Sequence, residues 1–413
     1  AQVVFRRILK TLAIIILLLL VATVALVLYF KSPSGQKRLS DFVLKTLSEK
    51  LKTPVTGNIS YGFPDWANIE NLLIIDQQSD TLLSAKRAYI DIDMLAYLDN
   101  ALKINKLELE GSLLNIYKKD SVFNYAYAIA AFSSKKTKDT TIAQLSYELQ
   151  SISAKNLTVR YADATSNQKL QAAFGDLQTG FSKIDIEKNQ FFLKNTSLGN
   201  TYLTANFGET AANSSGAKSN SKLPDIQIQE FAAKNFNWNV AFGGNKTTGK
   251  GINLDLEIEK IDLPKESISL NKLVANADKI TYSGVKVPKS IAGQLNFQDL
   301  DLSDFVLKTQ KVAYEKAKIE GEILKLTAKE KSGFEIKELT ANSVFENNKL
   351  VLTNLNLKTN GSELKSTAEI VLSPTDLTKS VFSYQLISST LSTTDALYFN
   401  RELSKNTYFQ NIS

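Results

Sequence analysis

The stretch with the strongest claim to chemistry is 244–251, GNKTTGKG. Gly244, Gly249 and Lys250 have P-loop spacing, in which a glycine-rich backbone cradles phosphates and a Ser/Thr after the lysine holds magnesium. Gly251 stands at that last position. A P-loop also opens a helix, whose N-terminus helps hold the phosphates. Here strand-like alternation lies on both sides, so the segment reads as a Gly-rich hairpin. Carboxylates recur two positions apart at Asp91/Asp93, Glu257/Glu259 and Asp299/Asp301. That spacing puts each pair on one face of a strand, where it could hold a cation or act as acid and base. Each pair sits opposite an apolar row, which makes it solvated surface. Triplets such as Asn156-Leu157-Thr158 fit a glycan acceptor, but in so Asn- and Thr-rich a chain they carry little information.

The missing residue types narrow the function further. Among 413 residues there is no Cys and no His. Disulfides, thiolate nucleophiles, Cys/His zinc sites and imidazole bases are therefore excluded, and with them a Ser-His-Asp triad. Any catalysis would rest on carboxylate, Lys, Tyr or Ser/Thr alone. The expectation is a protein that is not an enzyme and uses no cofactor or metal. A net charge of +7 and a pI near 9.1 could suit nucleic acid. Yet the arginines are just Arg6, Arg7, Arg38, Arg87, Arg160 and Arg401. Bidentate readout prefers arginine, and a binding groove clusters its charge on one face. The lysines here alternate with apolar residues or sit in loops, so no nucleic-acid partner is expected.

The first element is 11–30, TLAIIILLLLVATVALVLYF, which carries no charge. A run of this length spans about 30 Å as a helix, the thickness of a bilayer's hydrocarbon core. Arg6, Arg7 and Lys10 precede it, and Tyr29 and Phe30 close it at the interface. A cleaved signal peptide would have a shorter apolar region ending in small residues. This run continues through Leu26, Val27 and Leu28, so 1–31 reads as an uncleaved anchor, with Leu12, Ile16, Leu20, Leu26 and Tyr29 among its anchoring residues. Lys31, Lys37 and Arg38 nearly balance the positive-inside count; the short N-terminus favours an N-in orientation with the rest exported. Absence of Cys fits an oxidising compartment in which no disulfide is used.

Residues 32–132 form the next region. In 36–52, Leu39, Phe42, Val43, Leu47 and Leu51 repeat with a helical period. Two readings are open: a helix lying on the membrane surface, or one packed over the end of a sheet. From Thr56 onward the pattern becomes that of half-buried antiparallel strands. A helix is expected at 120–132, with Phe123, Tyr127 and Ala130 on one side. The hydrophobic-poor loops 133–140 and 209–222 set off the segments 141–208 and 223–413. Strand, turn and strand recur without a strict period, which suits one long sheet better than propeller blades. Two apolar rows stand out: Phe236, Trp238, Val240 and Phe242, then Ile252, Leu254, Leu256 and Ile258. Such faces either pack together as a sandwich core or stay open as a greasy groove on a long curved sheet. The anchor and the missing catalytic groups favour the groove.

Residues 57–76 (GNISYGFPDWANIENLLIID), 81–93 (TLLSAKRAYIDID) and 102–120 (LKINKLELEGSLLNIYKKD) resemble the opening strands of the AsmA-like family. The aromatic segment 123–132 (FNYAYAIAAF) is similar to one that TamB-type members place next. LTVRYADAT (157–165) and LVLTNLNLKTNGSELKSTAEIVL (350–372) resemble their recurrent strand pairs. The resemblance implies an inner-membrane-anchored periplasmic protein of a Gram-negative envelope. Its strands would wind into a taco-shaped hydrophobic groove. Such proteins are associated with phospholipid movement between membranes and with assembly of outer-membrane β-barrels beside a barrel-assembly partner. Ala1 in place of Met and an unfinished strand pattern at the end suggest a segment of a longer chain. The fold expected is mostly β: a transmembrane helix, a short amphipathic helix, then an extended, mainly antiparallel β-groove of repeated strand units. The function expected is phospholipid transport, with acyl chains as the bound partner. The alternative is a scaffold for barrel-protein insertion and secretion.

Overall fold

Ser32 and Pro33 start the first described helix: the Ser32 hydroxyl accepts from the Gly35 N–H at 3.2 Å, and proline suits the first turn. The computed structural model describes residues 28–29, 31–62, 65–93, 101–119, 122–132, 146–185, 190–207, 225–262, 265–373, 380–400 and 403. Apart from Leu28, Tyr29 and Lys31, the expected anchor lies outside them, including Leu12, Ile16, Leu20 and Leu26. Among the described residues no helix is long and apolar enough to cross a membrane. The described chain is mostly β, with few helices, and falls into two units: 1–115 with 122–149, and 116–121 with 150–413.

The first unit holds α1 (Pro33–Leu51), β1 (Val55–Gly62), β2 (Trp66–Ile75), β3 (Thr81–Asp93), most of β4 (Ala101–Lys119), β5 (Val122–Phe123), α2 (Ala126–Phe132) and β6 (Ser146–Leu149). Strands β1 to β4 pair in sequence order, each antiparallel to the last. Leu51, Val55, Leu72, Ala85 and Ala88 form the core, and Leu44 and Leu47 of α1 pack on it. Ser40 and Ser48 of α1 accept the Ile59 and Val55 N–H groups at 3.2 and 3.0 Å, tying the helix to the start of β1. Of the two readings for 36–52, packing on the sheet accounts for Leu47 and Leu51, while Phe42 stays 65% exposed. The helix expected at 120–132 is a correction: Val122 and Phe123 are a short strand, and the helix begins only at Ala126. Its packed residues are Tyr127, Ala128 and Ala131, whereas Ala130 is exposed. The Phe123 ring stacks on Tyr125, 5.1 Å between centroids, which holds that side chain ahead of the helix.

The second unit holds β7 (Ser151–Asp163), β8 (Gln168–Asp185), β9 (Gln190–Phe207), β10 (Asp225–Phe242), β11 (Asn245–Asp262), β12 (Ser267–Ser283), β13 (Asp299–Glu315), β14 (Lys318–Glu330), β15 (Glu335–Glu346), β16 (Lys349–Lys358), β17 (Glu363–Val371), β18 (Val381–Thr390) and α3 (Thr393–Phe399). Consecutive strands pair antiparallel except β9 and β10, which run parallel along their whole length. Two-residue turns with positive φ at both positions join several pairs: Gly243–Gly244, Lys316–Ala317 and Asn347–Asn348. Such turns match the twist of the strands they connect. GNKTTGKG is therefore the second residue of a hairpin turn followed by β11, and no helix opens there, as the flanking alternation had indicated.

Turn chemistry also sets a pH dependence. The Asp163 carboxylate accepts from the Thr165 and Ser166 N–H groups at 2.8 and 3.3 Å, and Lys118 lies 3.5 Å away. Burial pushes its pKa up, but these partners outweigh burial and hold it below 3.8. A carboxyl lowered on folding adds stability that is complete above the unfolded value and is lost as pH falls through the folded one. Asp163→Asn should therefore flatten the urea midpoint's dependence on pH below 3.8. An unchanged acid slope would contradict this role.

Candidate functional site

Extended strands alternate their side chains between faces, and directly opposed residues on neighbouring strands share a face. The register of the second unit can thus be followed across the ladder. Ala154 opposes Leu177, which opposes Leu198, then Ala233, Leu254 and Ala275. The same row continues through Leu307, Leu326, Leu339, Leu357 and Leu364. From β7 to β17 no polar side chain interrupts it. With strands about 4.8 Å apart, the row runs for roughly 50 Å.

A second line runs beside it. Asn156, Asn200, Asn235 and Gly251 all have left-handed backbone, with φ of 53°, 48°, 53° and 61°. Register places Asn156 opposite Gly175, Gly175 opposite Asn200, and Asn200 beside Asn235. Gly251 falls opposite Asp278, and Asp278 opposite Asp304, itself at φ 51°. One such residue turns an extended chain and shifts the alternation by one position. Residues on both sides of it then face the same way, as Ala154 and Leu157 do, or Ala233 and Phe236. Because five of the seven neighbouring strands turn at such a residue, and Gly175 and Asp278 lie opposite them in register on β8 and β12, the line is a crease across β7 to β13, with one limb of each strand on either side.

On the polar side the crease is stitched by amides. Asn235 Nδ2 donates to Asn200 Oδ1 at 2.9 Å, and Asn253 Nδ2 to Asn276 Oδ1 at 2.8 Å. The Asn235 N–H, which the turn directs away from an ordinary ladder position, donates to Asn253 Oδ1 at 3.1 Å. The Gly251 N–H donates to Asn237 Oδ1 at 3.1 Å. Backbone donors freed by the turn are thus satisfied by side chains. On the apolar side the floor is made of small or well-covered residues, Ala154, Thr201, Ala233 and Ile252, each under 5% exposed. The large side chains on the limbs, Phe236, Trp238, Leu254, Leu256 and Ile258, are half-buried. In a sandwich such residues would be covered by an opposing sheet. Here the fully buried apolar residues of the unit are mostly alanine.

The two rows singled out in the sequence share this face but occupy different limbs. Phe236 opposes Ile252 at the crease. Trp238, Val240 and Phe242 then run up one limb, opposite Gly249, Thr247 and Asn245. Leu254 and Leu256 run down the other, opposite Ala233 and Phe231, and Ile258 faces Leu270 of β12. Gly249 is required beneath the indole: a Cβ there would come within 2.6 Å of the Trp238 ring. Trp238 donates its Nε1–H to Thr247 Oγ1 at 3.3 Å, so the indole's polar atom is satisfied at the face. Phe242, at the end of its limb, is 39% exposed.

Sequence reasoning missed the crease, Leu177, Leu198, Phe231 and Ala275. The signal was there: apolar residues slip from a spacing of two to three at an Asn or Gly, as in Ala154–Leu157, Ala233–Phe236 and Leu352–Leu355. Asn354, at φ 52°, marks the last of these, over a smaller buried cluster of Ala341, Leu352 and Leu355. The carboxylate pairs lie in the outward hydrogen-bond and ion-pair pattern. Asp301 meets Lys279 at 2.8 Å, Asp299 meets Lys331, Asp91 accepts from Asn105, and Glu257 accepts from Asn271. Among the described residues no group of His, Cys, Asp or Glu is arranged to hold a metal ion. No protein-family model matches the chain, and no curated protein matches it.

Proposed function

We propose that the chain is an inner-membrane-anchored periplasmic protein of the AsmA-like, TamB-type kind, whose creased apolar face conducts phospholipid between membranes. One observation carries this reading: an unbroken apolar row that crosses β7 to β17 while its large side chains remain partly accessible. Taking an acyl chain through water costs about 0.8 kcal/mol per CH₂, so a sixteen-carbon tail meets a barrier of roughly 12 kcal/mol. A continuous lining without polar stops removes most of that barrier while the head group stays in water. Conduction of this kind needs no catalytic group and no cofactor. The reading is tested by native mass spectrometry and lipid extraction of the purified protein. Reproducible phospholipid supports it; a folded, lipid-free monomer counts against it.

A scaffold role in outer-membrane barrel assembly is the second reading, and β18 favours it. That last strand of the ladder is exposed along its whole length and has no charged residue from Val381 to Thr390. Exposed strands usually carry charge that discourages pairing, so an uncharged one suits addition of a partner strand. Stable co-purification with a barrel protein, lost on Leu386→Lys, would support it.

A further inference from the structure

The link between β12 and β13, residues 284–298, is irregular yet well tied. The Gly284 N–H donates to the Gln298 carbonyl at 2.8 Å, and the Leu295 N–H to the Tyr398 carbonyl at 2.7 Å. Asn296 Nδ2 lies within 3.3 Å of the Pro288 carbonyl and 3.4 Å of Ser290 Oγ. So fastened, the loop holds apolar side chains out in solvent: Val285 is 63% exposed, Ile291 52% and Val287 45%. It adjoins the β10–β11 turn, because a Cβ on Gly244 would meet Val285 at 3.0 Å. Phe242 and, opposite it in register, Phe207 end their strands at this same rim, both exposed. Exposed Lys246, Lys286 and Lys289 surround these residues, and 284–298 contains no acidic residue.

Exposed apolar residues interleaved with lysines and free of carboxylates have the chemistry of an anionic lipid surface. Apolar tips enter the boundary between head groups and acyl chains while ammonium groups meet the phosphates. A nucleic-acid backbone would match the charge but leave Val285, Val287 and Ile291 unburied. We propose that this rim docks on an anionic membrane surface, with Val285, Val287 and Ile291 inserted and Lys286 and Lys289 at the phosphates. The proposal stands apart from the lipid-conduction reading, since it concerns the end of the strands and not the apolar row between them.

These 413 residues contain no cysteine, so Val287→Cys in this chain accepts a single environment-sensitive fluorophore. With the protein held in phosphatidylcholine nanodiscs, phosphatidylglycerol vesicles should shift its emission to the blue, and quencher-bearing lipids in those vesicles should quench it. Phosphatidylcholine vesicles should do neither. Lys286→Gln and Lys289→Gln should each weaken the response by roughly 5-fold. Val285→Ser with Ile291→Ser should abolish quenching without altering the circular dichroism, because both side chains are exposed. A label that stays in water with saturating anionic vesicles would overturn the proposal. So would one already shielded before vesicles are added, or one shielded only by a protein partner. Lipid carried by the purified protein should be unchanged in all these variants, which separates failure of the rim from failure of the groove.

Discussion

Leu254→Asp should strip phospholipid from the purified protein, roughly ten-fold or more, while leaving the circular dichroism of the sheet unchanged. Leu254 sits at the middle of the apolar row, between Ala233 and Ala275. A carboxylate there lies where an acyl chain would have to pass, and covering it with lipid carries a desolvation cost that the chain's contacts do not offset. Its small neighbours leave the new group access to water in the lipid-free protein, so folding should lose only about 1–2 kcal/mol of apolar burial. Asp255, the next residue, faces the other way and pairs with Lys272. Asp255→Leu should therefore leave bound lipid unchanged. If Leu254→Asp unfolds the protein instead, the row is a closed core.

The second large effect concerns the crease. Gly251→Val should lower stability by about 3 kcal/mol or more. A β-branched residue held at φ 61° costs roughly 1–3 kcal/mol by itself. The added Cβ would also come within 2.0 Å of Asp278 Oδ2, so Asp278 must move from the crease. Gly251→Asn is the control: asparagine accepts left-handed backbone, as Asn235 and Asn200 do on neighbouring strands, and only the flexible Asp278 carboxylate has to shift. Its loss should be a fraction of the valine variant's. Strands in such a ladder gain stability mainly from their neighbours. Hydrogen exchange should accordingly speed up in β10, β11 and β12 and stay near wild type in β16 and β17. Uniform loss of protection would mean that the crease acts on the whole unit.

How much of this was legible in the sequence depended on period. Rows such as Ile252, Leu254, Leu256 and Ile258 alternate strictly, and β11 was readable from them alone. GNKTTGKG was readable as a hairpin because strands flank it. The crease was not, since a strand that turns at one left-handed residue shows only a slip in spacing, and Asn also belongs to ordinary turns. Nor could alternation tell that Phe236–Phe242 and Ile252–Ile258 lie on opposite limbs: that follows from cross-strand register, which the parallel pairing of β9 with β10 helps to set. The helix at 126–132 was misplaced by a few residues because Phe123 and Tyr127 fit a helical face as well as a strand followed by a turn. Phe42 completed an amphipathic pattern on α1 that the packing uses only in part.

The central claim is that the apolar face is open to lipid along the row from Ala154 to Leu364. In-cell photo-crosslinking tests it most directly, with a photoreactive amino acid placed singly at Leu254, Leu326 or Leu357 and, for the polar face, at Asp255. Phospholipid adducts at the three row positions and none at Asp255 are the result expected. Crosslinks from the row positions to other parts of the same chain, without lipid, would mean that the face is closed by protein and would contradict the account.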